Sequence, residues 1–386
     1  MNSIQNFFDK IRPTFDKGGK LHALHSVYEG FESFLLVSNK TSRNGVSIHD
    51  AIDSKRIMSF VVIALMPAML FGMYNIGYQN YAAAGITGSF WQLFGYGFLV
   101  MLPRIIVSYV VGLGIEFIFA QVNHEEIQEG YLVTGLLIPL ILPVETPLWM
   151  MALAIAFSVI LAKELWGGTG MNVFNVALVA RAFLFFSYPS KMTGDSVWVA
   201  NGSICGLGND LPDTFTQATP LSFVKQGATI PDMSVCDMIT GLIPGSVGET
   251  SVIAIAIGAV ILLWTGIASW KVMLSVFVGG GLTAALFEAL GMTPNIEWYE
   301  HLLLGGFCFG AVFMATDPVT GSRTETGKYI YGFLIGFIAI TVRVLNPGYP
   351  EGMMMAILLM NAFAPLIDYF VVDRNISKRL RRANNK

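Results

Sequence analysis

The sequence predicts an all-α polytopic membrane protein, with about ten transmembrane helices set as two inverted repeats of five and with broken helices near the middle of each repeat. Three observations predict it. Hydrophobic residues make up 54% of the chain and charged ones only 13%, against about 45–50% and about 25% in soluble domains, which excludes an ordinary globular fold. Two apolar runs are short and broken by Pro and Gly. A shift of the chain by 180 residues lays Leu161–Phe183 on Thr341–Phe363 without a gap, placing Lys163 on Arg343, Leu165 on Leu345 and Gly168 on Gly348.

Residues 1–55 form a polar segment that carries Lys10, Arg12, Lys17, Lys20, Lys40, Arg43 and Lys55 and has no apolar core of a signal peptide. The positive-inside rule assigns it to the cytoplasm. Within it, His22–Val37 suits an amphipathic helix along the membrane surface, with Glu29 on it. The first repeat, residues 56–187, is expected to span at Arg56–Tyr74, Leu93–Val122, Tyr131–Leu142, Leu148–Leu165 and Asn172–Ser187. At about 1.5 Å per residue the second of these exceeds a bilayer core of about 30 Å, so it must tilt or kink, with Pro103 the natural place. It holds Arg104 and Glu116. An ionisable group at depth costs about 2.5–3.5 kcal/mol and faces the protein interior; Glu116, near the end of the run, suits an interface as well as a functional position.

Five crossings put residues 188–250 outside, where Lys191 and Lys225 are the basic residues. The second repeat, residues 251–372, is expected to span at Ser251–Ala268, Lys271–Gly291, His301–Thr316, Tyr329–Asn346 and Gly352–Val372, returning the basic tail, residues 373–386, to the cytoplasm. An odd number of spans per half inverts the repeats. The short segments Tyr131–Leu142, with Pro139 and Pro143 about its end, and His301–Thr316, stopping at Asp317-Pro318, are the paired breaks that point to a site at the midplane. Broken backbone exposes carbonyls suited to a hard cation, so the ion path is expected between these segments. Phe309 and Phe313, at i and i+4, fit an apolar gate or ordinary core aromatics. Asp317, Glu116, Glu29 and Asp368 fall near the cytoplasmic side in this topology, as acids that would gather a cation there. Cys205, Cys236 and Cys308 have no metal-type spacing.

The outer segment holds the strongest chemical signature, Asp213-Thr214-Phe215-Thr216-Gln217-Ala218-Thr219-Pro220-Leu221-Ser222. An Asp, a Thr three residues on and then Ala-Thr resembles the flavinylation motif of two related respiratory complexes, in which a transferase joins the phosphate of FMN to the last Thr. Here that residue is Thr219. A polar loop fits the same residues. Ile243–Ser251, with Ser246 in it, is a Gly-rich turn that would either attract the FMN phosphate or simply cap the next helix. Gly167–Asn175 opens the fifth span, and Asn172 and Asn175 at i, i+3 would meet either the edge of a second flavin or another helix.

Over essentially its whole length the chain resembles the B-subunit family of the sodium-translocating NADH:quinone oxidoreductase of bacterial inner membranes. The resemblance runs through Tyr28-Glu29, Lys55–Met58, Gly167–Gly170, Asn175, Phe313–Val319, Asn346–Gly352 and Asp368. It implies a urea-transporter-like fold in the bacterial inner membrane with both termini cytoplasmic. It also implies a covalent FMN on Thr219, a noncovalent riboflavin beside Asn172 and Asn175, quinone as electron acceptor and outward passage of Na⁺. The implied partners are the A, C, D, E and F subunits and a flavin transferase, with no nucleic acid. Gly112 and Gly114 are where the resemblance suggests that a flat quinone ring would approach. Two positions depart from the family pattern: Gln217 stands where Gly is usual, and Val176 where Pro is common. The D subunit of the Rnf ferredoxin:NAD oxidoreductase is the neighbouring alternative, and a flavin-free channel or transporter of the same fold is the other. The chain has neither an NADH fingerprint nor iron–sulfur spacing, so it would be one subunit of a larger enzyme.

Overall fold

Where water is absent, backbone N–H and C=O groups must satisfy each other within one segment, and the long apolar runs of this chain are accordingly helices. The computed structural model describes residues 2–15, 28, 54–123, 130–194, 197–211, 218–225, 234–346 and 351–384. The helices are α1 (Asn2–Phe15), α2 (Ser54–Ala83), α3 (Phe90–Asn123), α4 (Tyr131–Ile141), α5 (Leu148–Ala162), α6 (Val176–Ser187), α7 (Pro189–Met192), α8 (Pro220–Lys225), α9 (Val235–Thr240), α10 (Val252–Trp264), α11 (Trp270–Ala289), α12 (Glu300–Leu303), α13 (Phe307–Phe309), α14 (Glu325–Leu345) and α15 (Met353–Asn384). No β-strand forms among the described residues. Six helical segments are long and apolar enough to cross a membrane: Arg56–Ala83, Phe90–Asn123, Leu148–Trp166, Trp270–Ala289, Glu325–Leu345 and Met353–Asn384. α4, α6 and α10 are apolar but shorter.

In the first half α3 lies against α4 and α5, and α5 against α6; in the second α11 lies against α14, and α14 against α15. α2 joins the halves through α10, and α6 touches α15. The α11–α14 contact is close because it is made of glycine: a Cβ on Gly279 would fall on the Phe333 carbonyl, and one on Gly336 on that of Val276. Segment 197–211 covers one end of the bundle, called the upper end below. There Asn80 donates to the carbonyls of Ala200 and Asn209 at 2.8 and 2.9 Å, and the Tyr96 hydroxyl to that of Gly202 at 2.8 Å.

Several elements differ from expectation. α2 continues past Tyr74 to Ala83, because Asn75 and Asn80 give its far half polar partners, Asn75 reaching the Ile243 carbonyl at 2.9 Å. His301–Thr316 is not one helix. α12 stops, Gly305 and Gly306 turn the chain at φ of 65° and 69°, α13 restarts it, and Gly310–Met314 is a π-helix in which the Ala315 N–H donates to the Gly310 carbonyl at 2.8 Å. α15 runs unbroken to Asn384, so the basic tail extends a helix as far as that residue. The expected helix His22–Val37 lies outside the described residues except for Tyr28, which is buried and stacks on Phe15 of α1 at 5.2 Å.

Candidate functional site

At the lower end, α5 gives way to a turn in which Gly167, Gly168 and Gly170 take φ of 106°, 84° and 92°, values that glycine adopts without strain. This turn delivers Asn175 to the N-terminus of α6, where its Oδ1 accepts from the N–H groups of Ala177 and Leu178 at 3.1 and 3.3 Å. Asn172 stays in the turn. Its Oδ1 accepts from the Gly170 N–H at 3.3 Å and its Nδ2 donates to the Phe174 carbonyl at 3.1 Å. The two amides therefore do not share a helical face, since the helix starts only after Asn175. They do share a cavity of about 120 Å³, whose wall also includes Leu137, Lys163, Thr169, Phe313 and Asp317.

Asp317 lies three residues past the end of the π-helix. It accepts from the Val319 N–H and the Thr320 hydroxyl, each at 3.0 Å, and from Asn175 Nδ2 at 3.5 Å. The Asn175–Asp317 contact joins the start of α6 to the end of the second broken segment. The Thr169 Oγ1 in the same wall is buried and has no hydrogen-bond partner among the described residues. An amide nitrogen carries two N–H donors, so each Asn keeps one beyond the bond its nitrogen already makes. Apolar walls with a few convergent polar groups are the makeup of a cofactor pocket, and the residues present fit the edge of a flavin ring.

Among the described residues, Glu116, Asp317 and Asp368 each take different partners. Glu116 is buried and paired with Lys163. Asp368 accepts from the Ser322 hydroxyl, the Arg323 N–H and the Thr324 N–H and hydroxyl at 2.6, 2.8, 3.1 and 2.6 Å, which ties α15 to the start of α14. Glu29 lies outside the described residues. Of these acids Asp317 lines the cavity. Among the described residues no group of three His, Cys, Asp or Glu side chains could hold a metal.

Phe309 and Phe313 are in contact, ring centroids 5.0 Å apart, and fully or nearly buried. The π-helix carries Phe313, and such single turns are frequent at functional sites. Above them stands a charged cluster that no motif in the sequence marked. Arg181 of α6 donates to Glu249 at 2.6 Å and to Glu351, tying the loop before α10 to the start of α15. A lone Arg inside the apolar run Val176–Ser187 was the available signal. Arg343, aligned with Lys163 by the repeat, is buried too, and donates to the carbonyls of His301, Leu304 and Glu351.

Thr219 is half-buried just before α8, and its carbonyl accepts from both the N–H and the hydroxyl of Ser222 at 2.9 Å. The hydroxyl of Thr219 takes no part in that turn. Leu221 clusters with Met238, Ile243, Ile296 and Leu304 and covers Gly305, so α8 sits beside the start of the second broken segment. Asp213 and Thr216 lie outside the described residues. Ser246, expected at the FMN phosphate, donates to the Ile141 carbonyl at 3.1 Å and stitches its turn onto the end of α4, while Ser251 caps α10 through the Ala254 N–H. Gly112 is covered, since a Cβ there would fall inside the Tyr131 ring, whereas Gly114 faces open space; the two glycines present no common surface to a ring. Cys205 and Cys236 are exposed, Cys308 is buried, and all three are free thiols.

A profile of the NQR2, RnfD, RnfE family matches residues 41–377. The chain is 45% identical to a protein of Chromohalobacter salexigens named as the B subunit of a Na(+)-translocating NADH-quinone reductase, over 98% of this chain and 96% of that one. Proteins of the same name from Azotobacter vinelandii and Pseudomonas paraeruginosa are 42% and 41% identical, each over 98% of this chain and 99% of their own length.

Proposed function

Because this chain belongs to the NQR2, RnfD, RnfE family, we propose that it is the B subunit, a membrane component, of a sodium-translocating NADH:quinone reductase. The observation that carries this reading is the similarity, along nearly the full length, to relatives bearing that name. The A, C, D, E and F subunits would accept NADH and complete the electron path. A flavin transferase would modify Thr219. The lower end, with both termini, would face the cytoplasm of a bacterial inner membrane and the upper end the outside. Two inverted repeats, residues 56–187 and 251–372, around an outer segment 188–250 agree with the matched packing of α3, α5 and α6 with α11, α14 and α15.

In this reading Thr219 holds FMN through a phosphoester, and Asn172 and Asn175 hold riboflavin at the lower cavity. Flavins supply one- and two-electron transfer when bound. The apolar walls of the cavity keep water from that exchange, and the second N–H of each Asn fixes the orientation of the ring. The open face of α3 at Gly114, not the covered Gly112, is where quinone would approach. Sodium would pass between the two broken segments: Asp317 offers a carboxylate at the lower end, and the Phe309–Phe313 pair closes the path above it.

Thr219 supplies the direct test. In the parent complex, ultraviolet light should reveal a fluorescent band for this subunit on a denaturing gel, because only a covalent flavin survives denaturation. Thr219→Ala should abolish the band while the subunit remains membrane-inserted. A band retained in that variant rules out the attachment site.

A further inference from the structure

Two features lie one above the other along α6. Asn175, at its start, meets Asp317, and Phe313 lines the cavity beside them. Arg181, six positions beyond Asn175, stands about 9 Å further up at the helical rise. Glu249 places Arg181 relative to the breaks. A Cβ on Gly306, where the second broken segment turns, would stand 2.7 Å from the Glu249 carboxylate. The adjacent Gly248 donates to the Leu140 carbonyl at 2.9 Å, and a Cβ there would stand 3.1 Å from the Phe309 ring. The guanidinium and its two carboxylates are therefore held between the upper ends of both broken segments, directly beyond the aromatic pair.

We propose that Arg181, clasped by Glu249 and Glu351, is the barrier that stops cations from leaking back down the path between the broken segments, and so a selectivity-determining residue for sodium transport. The proposal rests on the reading that sodium passes between those segments. A guanidinium is permanently charged and presents its donors in a rigid fork, so it occupies the position between two carboxylates that a mobile cation would otherwise take. Held there, it keeps both carboxylates from binding another cation, as a fixed Arg excludes cations in other pathways. The arrangement also has a looser side. The Glu351 side chain is 18% exposed, against 9% for Glu249 and 5% for Arg181, so outward passage would part Arg181 from Glu351 while Glu249 keeps its hold.

The test is flux of radioactive sodium in proteoliposomes holding the assembled complex, with and without NADH. Arg181→Gln combined with Glu249→Gln removes the guanidinium while preserving the net charge of the cluster, and flavin content reports assembly. Passive sodium leak should rise roughly tenfold or more, because the place the guanidinium held beside Glu351 is opened to a mobile cation drawn by that carboxylate, while Arg181→Lys, which keeps a cation there, should stay near the parent. Parental leak in the assembled double variant overturns the proposal. Glu351→Gln makes the cluster more positive, and should slow both passive and NADH-driven sodium flux several-fold; unchanged flux there overturns it independently. Phe313→Ala separates the two levels of inference. If sodium flux responds to Phe313→Ala but not to the Arg181 and Glu351 variants, the barrier is wrong and the path stands; if none of them responds, the path is wrong and the barrier with it.

Discussion

The ammonium of Lys163, where α5 ends, is paired with the carboxylate of Glu116 in α3, and each side chain is only 5% exposed. The pair ties α3 to the end of α5, beside the cavity that Lys163 lines. Removing one partner of a buried pair typically costs about 3–5 kcal/mol, while replacing both with apolar groups of similar size is often tolerated. Lys163→Met should therefore lower the thermal midpoint of the purified complex markedly, and Lys163→Met with Glu116→Leu should recover most of the loss. A double variant as unstable as the single one would show that the pair does more than neutralise itself.

Asn175 has two separable tasks, capping α6 and facing the cavity. Asn175→Leu removes both, and the loss of the cap alone costs about 1 kcal/mol. Asn175→Ser keeps a capping oxygen and removes the amide donor. Extractable riboflavin should fall in both variants, with thermal stability nearly unchanged in the Ser variant. Full riboflavin content in Asn175→Ser would take the amide out of flavin binding.

Asp317 and Asp368 should respond in opposite ways. Asp317 faces the cavity, and Asp317→Ala should raise the sodium concentration needed for half-maximal quinone reduction several-fold while changing the maximal rate less. Asp368 accepts four hydrogen bonds from residues 322–324, and hydrogen bonds to a charged group contribute about 1.5–3 kcal/mol each. Asp368→Ala should lower thermal stability with the sodium requirement unchanged. Steady-state rates across a sodium series, beside a melting curve for each variant, distinguish the two.

The glycines of α3 give a steric contrast. A Cβ at Gly112 meets the Tyr131 ring, and overpacking of this kind costs about 1–3 kcal/mol. At Gly114 nothing lies within 4 Å, so Gly114→Ala should be neutral for stability. If quinone approaches there, its apparent KM should rise in Gly114→Ala; equal melting temperatures for Gly112→Ala and Gly114→Ala would contradict the packing.

The long helices were legible in the sequence because apolar content and backbone self-satisfaction act along one segment at a time. Tyr131–Ile141 was recognisable as too short, and the alignment of Lys163 with Arg343 marked two cations that prove to be buried. The tertiary structure alone decided which charges meet. Arg181 finds Glu249 and Glu351 across 68 and 170 positions, Lys163 pairs with Glu116, and Tyr131 closes over Gly112. It also decided that Asn172 remains in a turn and that Phe313 rides on a π-helix. The reason is physical: a buried charge or an open glycine face must be matched by whatever the folded chain brings beside it, and that partner has no fixed spacing along the sequence.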